Sequence, residues 1–277
     1  MTLQKAVLAS EGRPGSIQGS ERDLWTRVLM GKHPDEGLEV LQQARILERT
    51  LPEVQAMVGF GGHGQGHKDL WAHTKQVVKQ TKAQPSLRWA ALFHDVGKVS
   101  TFSRAGGKVS FHKHEFVSAT MLRRALTRTA LVERDVLQEA LAVVRNLGLV
   151  EAYQSDWTDS AVRRLHKELG EHFERVLLVA RADITTKHAH KREKHHERLH
   201  ELGERAKRIA EHDAIVPPLP KGLGDALMAA FGIPPSKRLG DLKAALEKAV
   251  GEGRIEAHRE APYYVEFVST HRGDFGV

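Results

Sequence analysis

Apolar side chains recur every three to four residues along most of this chain, the spacing that buries one face of an α-helix. In the segment 69–82, Leu70, Trp71, Val77 and Val78 fall on one side. The same spacing predicts further helices over residues 114–130, 133–146, 158–169, 172–190 and 239–250. A polar, histidine-rich helix is predicted between the last two of these. The predicted fold class is therefore all-α.

Glycine and proline mark the expected interruptions of this pattern. The glycine-rich segment 59–67 predicts a loop, and residues 101–111 predict a loop or a small hairpin around a Gly-Gly pair. Gly97 is expected to end the helix that contains "LRWAALFHDVG". The tail segment "GRIEAHREAPYYVEFV" alternates apolar and polar residues, which predicts a short strand.

These patterns predict four segments along the chain. Residues 1–20 lack periodicity and are expected to form a flexible leader. A helical segment over residues 21–62 precedes a central helical domain over residues 63–212. A proline-rich linker then leads into a C-terminal helical segment and tail over residues 213–277.

Composition narrows the chemistry. The chain has no cysteine, so a metal would have to be bound by His, Asp or Glu. The formal charge of +7 fits a polyanionic partner such as RNA or a nucleotide, although many soluble proteins are as basic without one. The N-terminus has no apolar signal segment, and no stretch approaches the ~18 apolar residues of a membrane span. A cytoplasmic location without membrane association is therefore expected.

Polar groups interrupt three apolar helix faces. His73 adjoins the apolar stripe of its helix, the pair His94-Asp95 ends the apolar run "LRWAALF", and Asp183 shares the inward face of "VLLVARADITT". Burying such groups without partners is costly. Each group could be satisfied by its own hydrogen bonds or could lie at the surface. One divalent metal shared by all of them would satisfy them together, and their coincidence favours this interpretation.

The same residues carry a family resemblance. The order His73, His94-Asp95, Asp183 and the motif "FHDVGK" resemble the HD superfamily of metal-dependent phosphohydrolases. The stretches "HKDLWAHT", "LRWAALFHDVGK", "FHKHEFVSA", "WTDSAVRRL" and "ARADITTK" resemble the HD region of bacterial tRNA nucleotidyltransferases, or CCA-adding enzymes. The likeness extends over roughly residues 21–255 and includes a helical RNA-binding-like segment before the HD region. It implies an HD-domain helical bundle with flanking helical segments.

The resemblance also implies a metal site. Its metal ligands would be His73, His94, Asp95 and Asp183. Asp95, Lys98 and His114 would be catalytic, with Lys98 directed at a phosphate and His114 near a second metal or the phosphate. Further phosphate-binding candidates are His67, His112, Arg163 and Arg164.

Asn146 stands where the family usually has another histidine, which favours one metal or a weaker second site. Family sites take nickel, manganese, cobalt, magnesium or iron, and the sequence does not choose among them. The resemblance implies phosphodiesterase activity on 2′,3′-cyclic phosphates, with phosphatase or 2′-nucleotidase activity beside it. Nucleotides or RNA 3′ ends, including those of tRNA, would be the substrates.

Two other functions stay open at this stage. A non-catalytic RNA-binding module would keep the fold, and the substitution at Asn146 favours it. A dNTP or alarmone hydrolase is the other alternative, although "HDVGKVS" lacks the Glu-Asp pair usual in the alarmone branch. The chain contains no Asp-x-Asp pair of the kind that holds metals in the polymerase domain of the tRNA nucleotidyltransferases it resembles. Nucleotide addition is therefore not expected, and a separate nucleotidyltransferase chain is a candidate partner.

Overall fold

The structure is a computed structural model that describes residues 17–61, 68–215 and 217–275. The described residues are mostly helical, which confirms the predicted all-α class. The first half contains α1 (Ile17–Met30), α2 (Pro34–Gln43), α3 (Ile46–Thr50), α4 (Pro52–Gln55), α5 (Leu70–Gln80), α6 (Pro85–Phe93), α7 (Lys98–Thr101) and α8 (His114–Thr129). The second half contains α9 (Arg134–Glu151), α10 (Asp159–Leu169), α11 (Phe173–Ala182), α12 (Ala189–Ile215), α13 (Leu223–Phe231), α14 (Lys237–Gly251), α15 (Ala261–Thr270) and α16 (Arg272–Phe275).

A small antiparallel hairpin joins α7 to α8. Its strands are β1 (Phe102–Ala105) and β2 (Lys108–Phe111), and Phe102 pairs with Phe111 in register. Gly106 and Gly107 form the turn with φ of 56° and 75°, values that glycine adopts without steric cost. Of the two predictions for this segment, the hairpin is confirmed.

The chain forms two compact units. The first comprises the described residues up to 153 together with residues 171–199. In it α9 packs against α6, α8 and α11, while α5 packs against α2 and α6. Helix α6 is buried along its whole length except at its first residue, Pro85, so its last turn delivers polar residues into the core.

The second unit comprises residues 154–170 and the described residues from 200 onward. Its core is formed by leucines of α13 and α14 with Tyr264 and Val268 of α15. The Tyr264 hydroxyl donates a hydrogen bond of 2.9 Å to the Glu256 carbonyl. Thr158 caps α10 by accepting a hydrogen bond from the Ala161 amide. The four predicted segments are not tested by this division and stay a prediction.

Several helix boundaries differ from the sequence prediction, and α9 ends at Glu151 rather than at residue 146. Helix α1 already begins by Ile17, inside the segment predicted to be a flexible leader, whose residues 1–16 lie outside the described range. Helix α6 ends at Phe93 rather than at Gly97, and residues 94–97 form a turn. Helix α11 ends at Ala182 rather than at residue 190, because the segment 183–188 leaves the helix before α12 begins.

The predicted C-terminal strand is wrong. Residues 261–270 form α15, with Pro262 in its first turn, where proline costs no hydrogen bond. Tyr264 and Val268, four residues apart, are its fully buried side chains, so the helical period outweighs the local alternation.

Candidate metal centre

Three ligand groups from three parts of the first unit converge. One ligand atom each from His73, His94 and Asp183 lies within 4.8 Å of the others. Nε2 of His73 is 3.0 Å from Oδ1 of Asp183, and Nε2 of His94 is 3.2 Å from the same oxygen. The two Nε2 atoms are 3.3 Å apart. The convergence that the sequence could only imply is therefore present.

Local structure delivers each side chain to this point. His73 is on α5, one turn after Asp69, whose side chain caps the helix by accepting a hydrogen bond from the Ala72 amide. His94 and Asp95 lie in the turn that follows the buried helix α6. Asp183 is the C-cap residue that follows α11. Ligands at helix ends keep short side chains close to a shared point.

The hydrogen bonds of the imidazoles fix which nitrogens face the cluster. Nδ1 of His94 donates to the Ala91 carbonyl at 2.8 Å, so Nε2 is left to bind a proton or a metal ion. Nδ1 of His73 is engaged by the Thr185 hydroxyl at 2.9 Å, so its Nε2 faces the cluster in the same way. Such a hydrogen bond on the outer nitrogen is usual for metal-binding histidines.

One oxygen of the cluster has no hydrogen bond of its own. Oδ1 of Asp183 is buried and unsatisfied, although two imidazole nitrogens face it. A divalent ion among these three atoms would satisfy them all, and His and Asp are a donor set that Zn²⁺, Ni²⁺, Mn²⁺ and Fe²⁺ accept. The residues present therefore fit a metal.

Asp95 extends the cluster on a second side. Its Oδ2 is 3.4 Å from Nε2 of both His73 and His94, and it accepts a hydrogen bond of 2.7 Å from Nζ of Lys98. Its Oδ1 is 3.4 Å from Nε2 of His114, whose Nδ1 donates to the Phe111 carbonyl. The two oxygens of Asp95 therefore face the two sides of the site.

The buried charges shift one another's pKa values. Burial lowers the pKa of His94, but the nearby Asp95 and Asp183 outweigh it and hold that pKa well above its ordinary value. Burial also lowers the pKa of His73, but Asp183 and Asp95 outweigh it, so that this pKa is raised as well. Burial raises the pKa of Asp95. The charge of His94 and the hydrogen bonds from the surrounding histidines outweigh burial and hold that pKa well below its ordinary value.

Glu151, the last residue of α9, is a member of the site that the sequence reasoning missed. Burial, followed by the charge of Asp183, raises the pKa of Glu151 to about 8. At neutral pH the carboxyl is therefore protonated, and it shares a hydrogen bond with Asp183. The signal was available, because Glu151 continues the buried α9 face of Val144 and Leu147 at helical spacing. Asn146, where a histidine was expected, instead donates to the Ala142 carbonyl of its own helix.

The remaining predicted phosphate-binding residues have other surroundings. His112 is exposed in the turn after β2, and His67 lies outside the described residues. Arg163 belongs to the second unit, where Nε donates a hydrogen bond of 2.5 Å to Asp213. Arg164 is exposed in the same unit. A phosphate contact by any of these four residues stays a prediction.

A cavity of about 380 Å³ opens beside the cluster. Its polar lining contains the candidate ligands His73, Asp95 and Asp183 with the ammonium groups of Lys68 and Lys98. Its apolar lining consists of Phe60, Leu70 and Phe111. The volume is in the range of small-molecule sites, so an anion could reach the ligand cluster and two lysines at once.

A family comparison agrees with this geometry. The model of the family described as HD domain matches residues 70–216, which is more than half of the 277 residues. The matched range includes His73, His94, Asp95, His114 and Asp183.

Curated relatives extend the likeness on both sides of that range. An A-adding tRNA nucleotidyltransferase of Deinococcus radiodurans is 30% identical over 265 residues, covering 87% of this chain and 58% of the relative. A CC-adding tRNA nucleotidyltransferase of Thermus thermophilus is 26% identical over 260 residues, covering 91% of this chain and 57% of the relative. A multifunctional CCA protein of Legionella pneumophila is 30% identical over 126 residues, or 44% of this chain and 30% of the relative. The chain thus spans less than three fifths of the length of these relatives.

Proposed function

The chain belongs to the HD domain family, and we propose that it is a metal-dependent phosphohydrolase acting on nucleotides or RNA 3′ ends. The proposal includes the hydrolysis of 2′,3′-cyclic phosphates, with phosphatase or 2′-nucleotidase activity beside it. The proposed metal is nickel, manganese, cobalt, magnesium or iron. Nucleotide addition is not part of the proposal, because the 277 residues contain no Asp-x-Asp pair.

One observation carries the proposal. Oδ1 of Asp183 is buried between the inward-facing nitrogens of His73 and His94, at 3.0 and 3.2 Å. Gathering ionisable groups at one buried point is costly unless they share a partner. A divalent cation among these three atoms would satisfy all of them at once.

The proposed chemistry divides among the residues of the cavity. A divalent ion held by His73, His94, Asp95 and Asp183 would lower the pKa of a coordinated water and polarise a phosphoryl oxygen. Asp95 is the ligand that would take up a proton, because its Oδ1 faces His114, to which the proton could pass. Nζ of Lys98, 2.7 Å from Asp95, would offset charge that develops on the phosphoryl oxygens.

The proposed substrate class is supported by the charge of the chain and by its similarity to the relatives. Lys68 and Lys98 line the cavity, and the chain carries a formal charge of +7. The curated relatives are named for adding nucleotides to tRNA, so we propose RNA ends, tRNA among them, as the polymers that reach the site. A separate nucleotidyltransferase chain is a proposed partner.

Asp95→Asn tests the proposal, since it keeps the size of the side chain and removes the charge. Metal-free protein is reloaded with each candidate metal and assayed on 2′,3′-cyclic nucleotides, 2′- and 3′-mononucleotides and dNTPs. We expect metal-dependent release of phosphate or of a monoester, and at least a hundredfold loss in Asp95→Asn. Asp156→Asn is the matched control, because Asp156 is an exposed aspartate of the second unit.

The alternatives give different outcomes of the same assay. Hydrolysis of dNTPs alone would assign the chain to another branch of HD enzymes. Metal binding without any hydrolysis that Asp95→Asn removes would contradict the proposal, and tRNA binding in that protein would indicate a non-catalytic RNA-binding module.

A further inference from the structure

The cavity beside the ligand cluster has two chemically different halves. Metal ligands and the ammonium groups of Lys68 and Lys98 form one half, while Phe60, Leu70 and Phe111 form the other. A phosphate alone would use only the first half. We infer that Phe60 and Phe111 form a base-binding wall, against which the base of a nucleoside phosphate stacks while its phosphate lies at Lys98 and the ligand cluster. This inference rests on the proposed function and names the residues that select its substrate.

Phe102 of the hairpin contacts both phenylalanines of the wall. The hairpin register pairs Phe102 with Phe111 across the two strands, with ring centroids 5.9 Å apart. The Phe102 ring also meets Phe60 edge to face at 5.8 Å. Phe102 therefore links the two cavity-lining rings, and cross-strand aromatic pairs of this kind fix side-chain positions.

Lys98 sets the distance between the two halves. Its Nζ is 2.7 Å from Oδ2 of Asp95 and 5.7 Å from the centroid of the Phe111 ring. A group bound at the ammonium therefore lies within one sugar's length of the aromatic wall. The cavity of about 380 Å³ is large enough for a ligand of mononucleotide size.

The burial of the wall distinguishes it from the core. Phe93 and Phe173 of the same unit are 0% and 2% exposed. Phe60 and Phe111, by contrast, are only partly buried, and both border the cavity. A planar base would cover that apolar surface, and base–aromatic stacking tolerates any base because each has a π-face. The wall should therefore distinguish nucleotides from sugar phosphates without selecting among the bases.

Binding measurements on the metal-loaded chain test this without relying on turnover. The probe is the fluorescent 1,N6-ethenoadenosine monophosphate, whose emission changes on stacking, and ribose 5-phosphate is the competitor that lacks a base. Phe111→Leu and Phe60→Leu keep an apolar side chain and remove the ring. Phe116→Leu is the matched control, because Phe116 is 63% exposed on α8 and does not line the cavity.

We expect each wall variant to weaken nucleotide binding by about 5- to 150-fold, the factor that loss of one base–aromatic stack gives, with ribose 5-phosphate binding unchanged. Phe111→Tyr keeps a ring and should keep nucleotide affinity. A loss of equal size for both ligands would show that the rings only support the hairpin, and it would overturn the inference. Equal affinity of the native chain for both ligands would overturn it as well.

Failure of the proposed function has a separate signature. A chain that hydrolyses no phosphoester with any metal, but binds the nucleotide more tightly than ribose phosphate through Phe111, has the base-binding wall without the reaction. A chain that hydrolyses both substrate types with equal KM has the reaction without the wall.

Discussion

At the scale of single residues, hydrogen bonds to groups outside the cluster orient the two imidazole rings of the site. Nδ1 of His94 is committed to the Ala91 carbonyl, and Nδ1 of His73 to the Thr185 hydroxyl. These bonds orient both rings so that Nε2 points at Oδ1 of Asp183. Pre-oriented ligands lose little conformational freedom when a metal binds, which favours affinity.

Glu151 is expected to tune that affinity through Asp183. Its protonated carboxyl shares a hydrogen bond with the ligating carboxylate, and loss of such a bond typically costs 10- to 100-fold in metal affinity. Glu151→Ala should therefore weaken metal binding by about that factor, measured by competition with a chromogenic chelator. Glu151→Gln keeps a donor and should stay within about threefold of the native affinity. Equal losses in both variants would contradict this role.

Individual ligands could be predicted from the sequence because each is a polar group on an apolar face. His73, His94 and Asp183 were found in that way, and Asp95 by adjacency. Their meeting point depends on how the helices cross, which no spacing along the chain determines. Glu151 was missed because the predicted helix stopped at residue 146, which left Glu151 outside any helix face.

At the scale of elements, the packing of the turn between α6 and α7 against α8 explains the glycine of "HDVGK". A Cβ on Gly97 would lie 2.4 Å from the His114 carbonyl oxygen and 2.8 Å from the Ser118 amide nitrogen. The Gly97 amide itself donates to the Ser118 hydroxyl at 2.9 Å. Its φ of −66° is open to any residue, so close approach and not backbone conformation requires glycine here.

Gly97→Ala is therefore expected to force this turn away from α8. Overpacking of this kind costs about 1–3 kcal/mol, and the shift should also move Asp95 relative to His114. Urea unfolding monitored by circular dichroism measures the first effect, and the metal affinity measures the second. Gly240→Ala is the control, since Gly240 lies within α14 with nothing within 4 Å of the added Cβ, and it should gain about 0.5–1 kcal/mol. A Gly97→Ala protein as stable as native would show that the approach relaxes freely.

The elements that sequence patterns predicted best are those with regular apolar stripes, such as α5 and α8. Prediction failed where short-range signals competed with packing. Gly97 resembled a helix C-cap although packing against α8 selects it, and the segment of α15 resembled a strand although Tyr264 and Val268 pack at helical spacing. The ends of α6 and α11 were misplaced because ligand residues occupy the turns that follow them.

At the scale of the whole molecule, the chain divides into two compact units. The first unit contains the ligand cluster and its cavity, and the second has its own core around Tyr264. No helix among the described residues is long and apolar enough to cross a membrane. The relatives match across both units, so the second unit belongs to the similarity as much as the first unit does.

Metal should stabilise the chain in a way that depends on pH. The folded-state pKa values of His73 and His94 are raised above the ordinary 6.5 by Asp183 and Asp95 against the effect of burial. These protonated histidines therefore stabilise the metal-free fold fully below pH 6.5, and that contribution is lost as pH rises through their raised pKa values. A metal must displace the same protons, so its binding strengthens as pH rises.

The stability gained from metal should consequently grow between pH 6 and pH 8. At about a hundredfold excess of metal over Kd, binding adds about 2.7 kcal/mol to the free energy of unfolding, and the gain should shrink toward pH 6. Urea unfolding with metal and with chelator, at each pH, measures the difference. His94→Ala should abolish it, whereas His188→Ala, on an exposed side chain of the first unit, should leave it intact. A metal effect that is constant with pH would mean that the histidines hold no protons for the metal to displace.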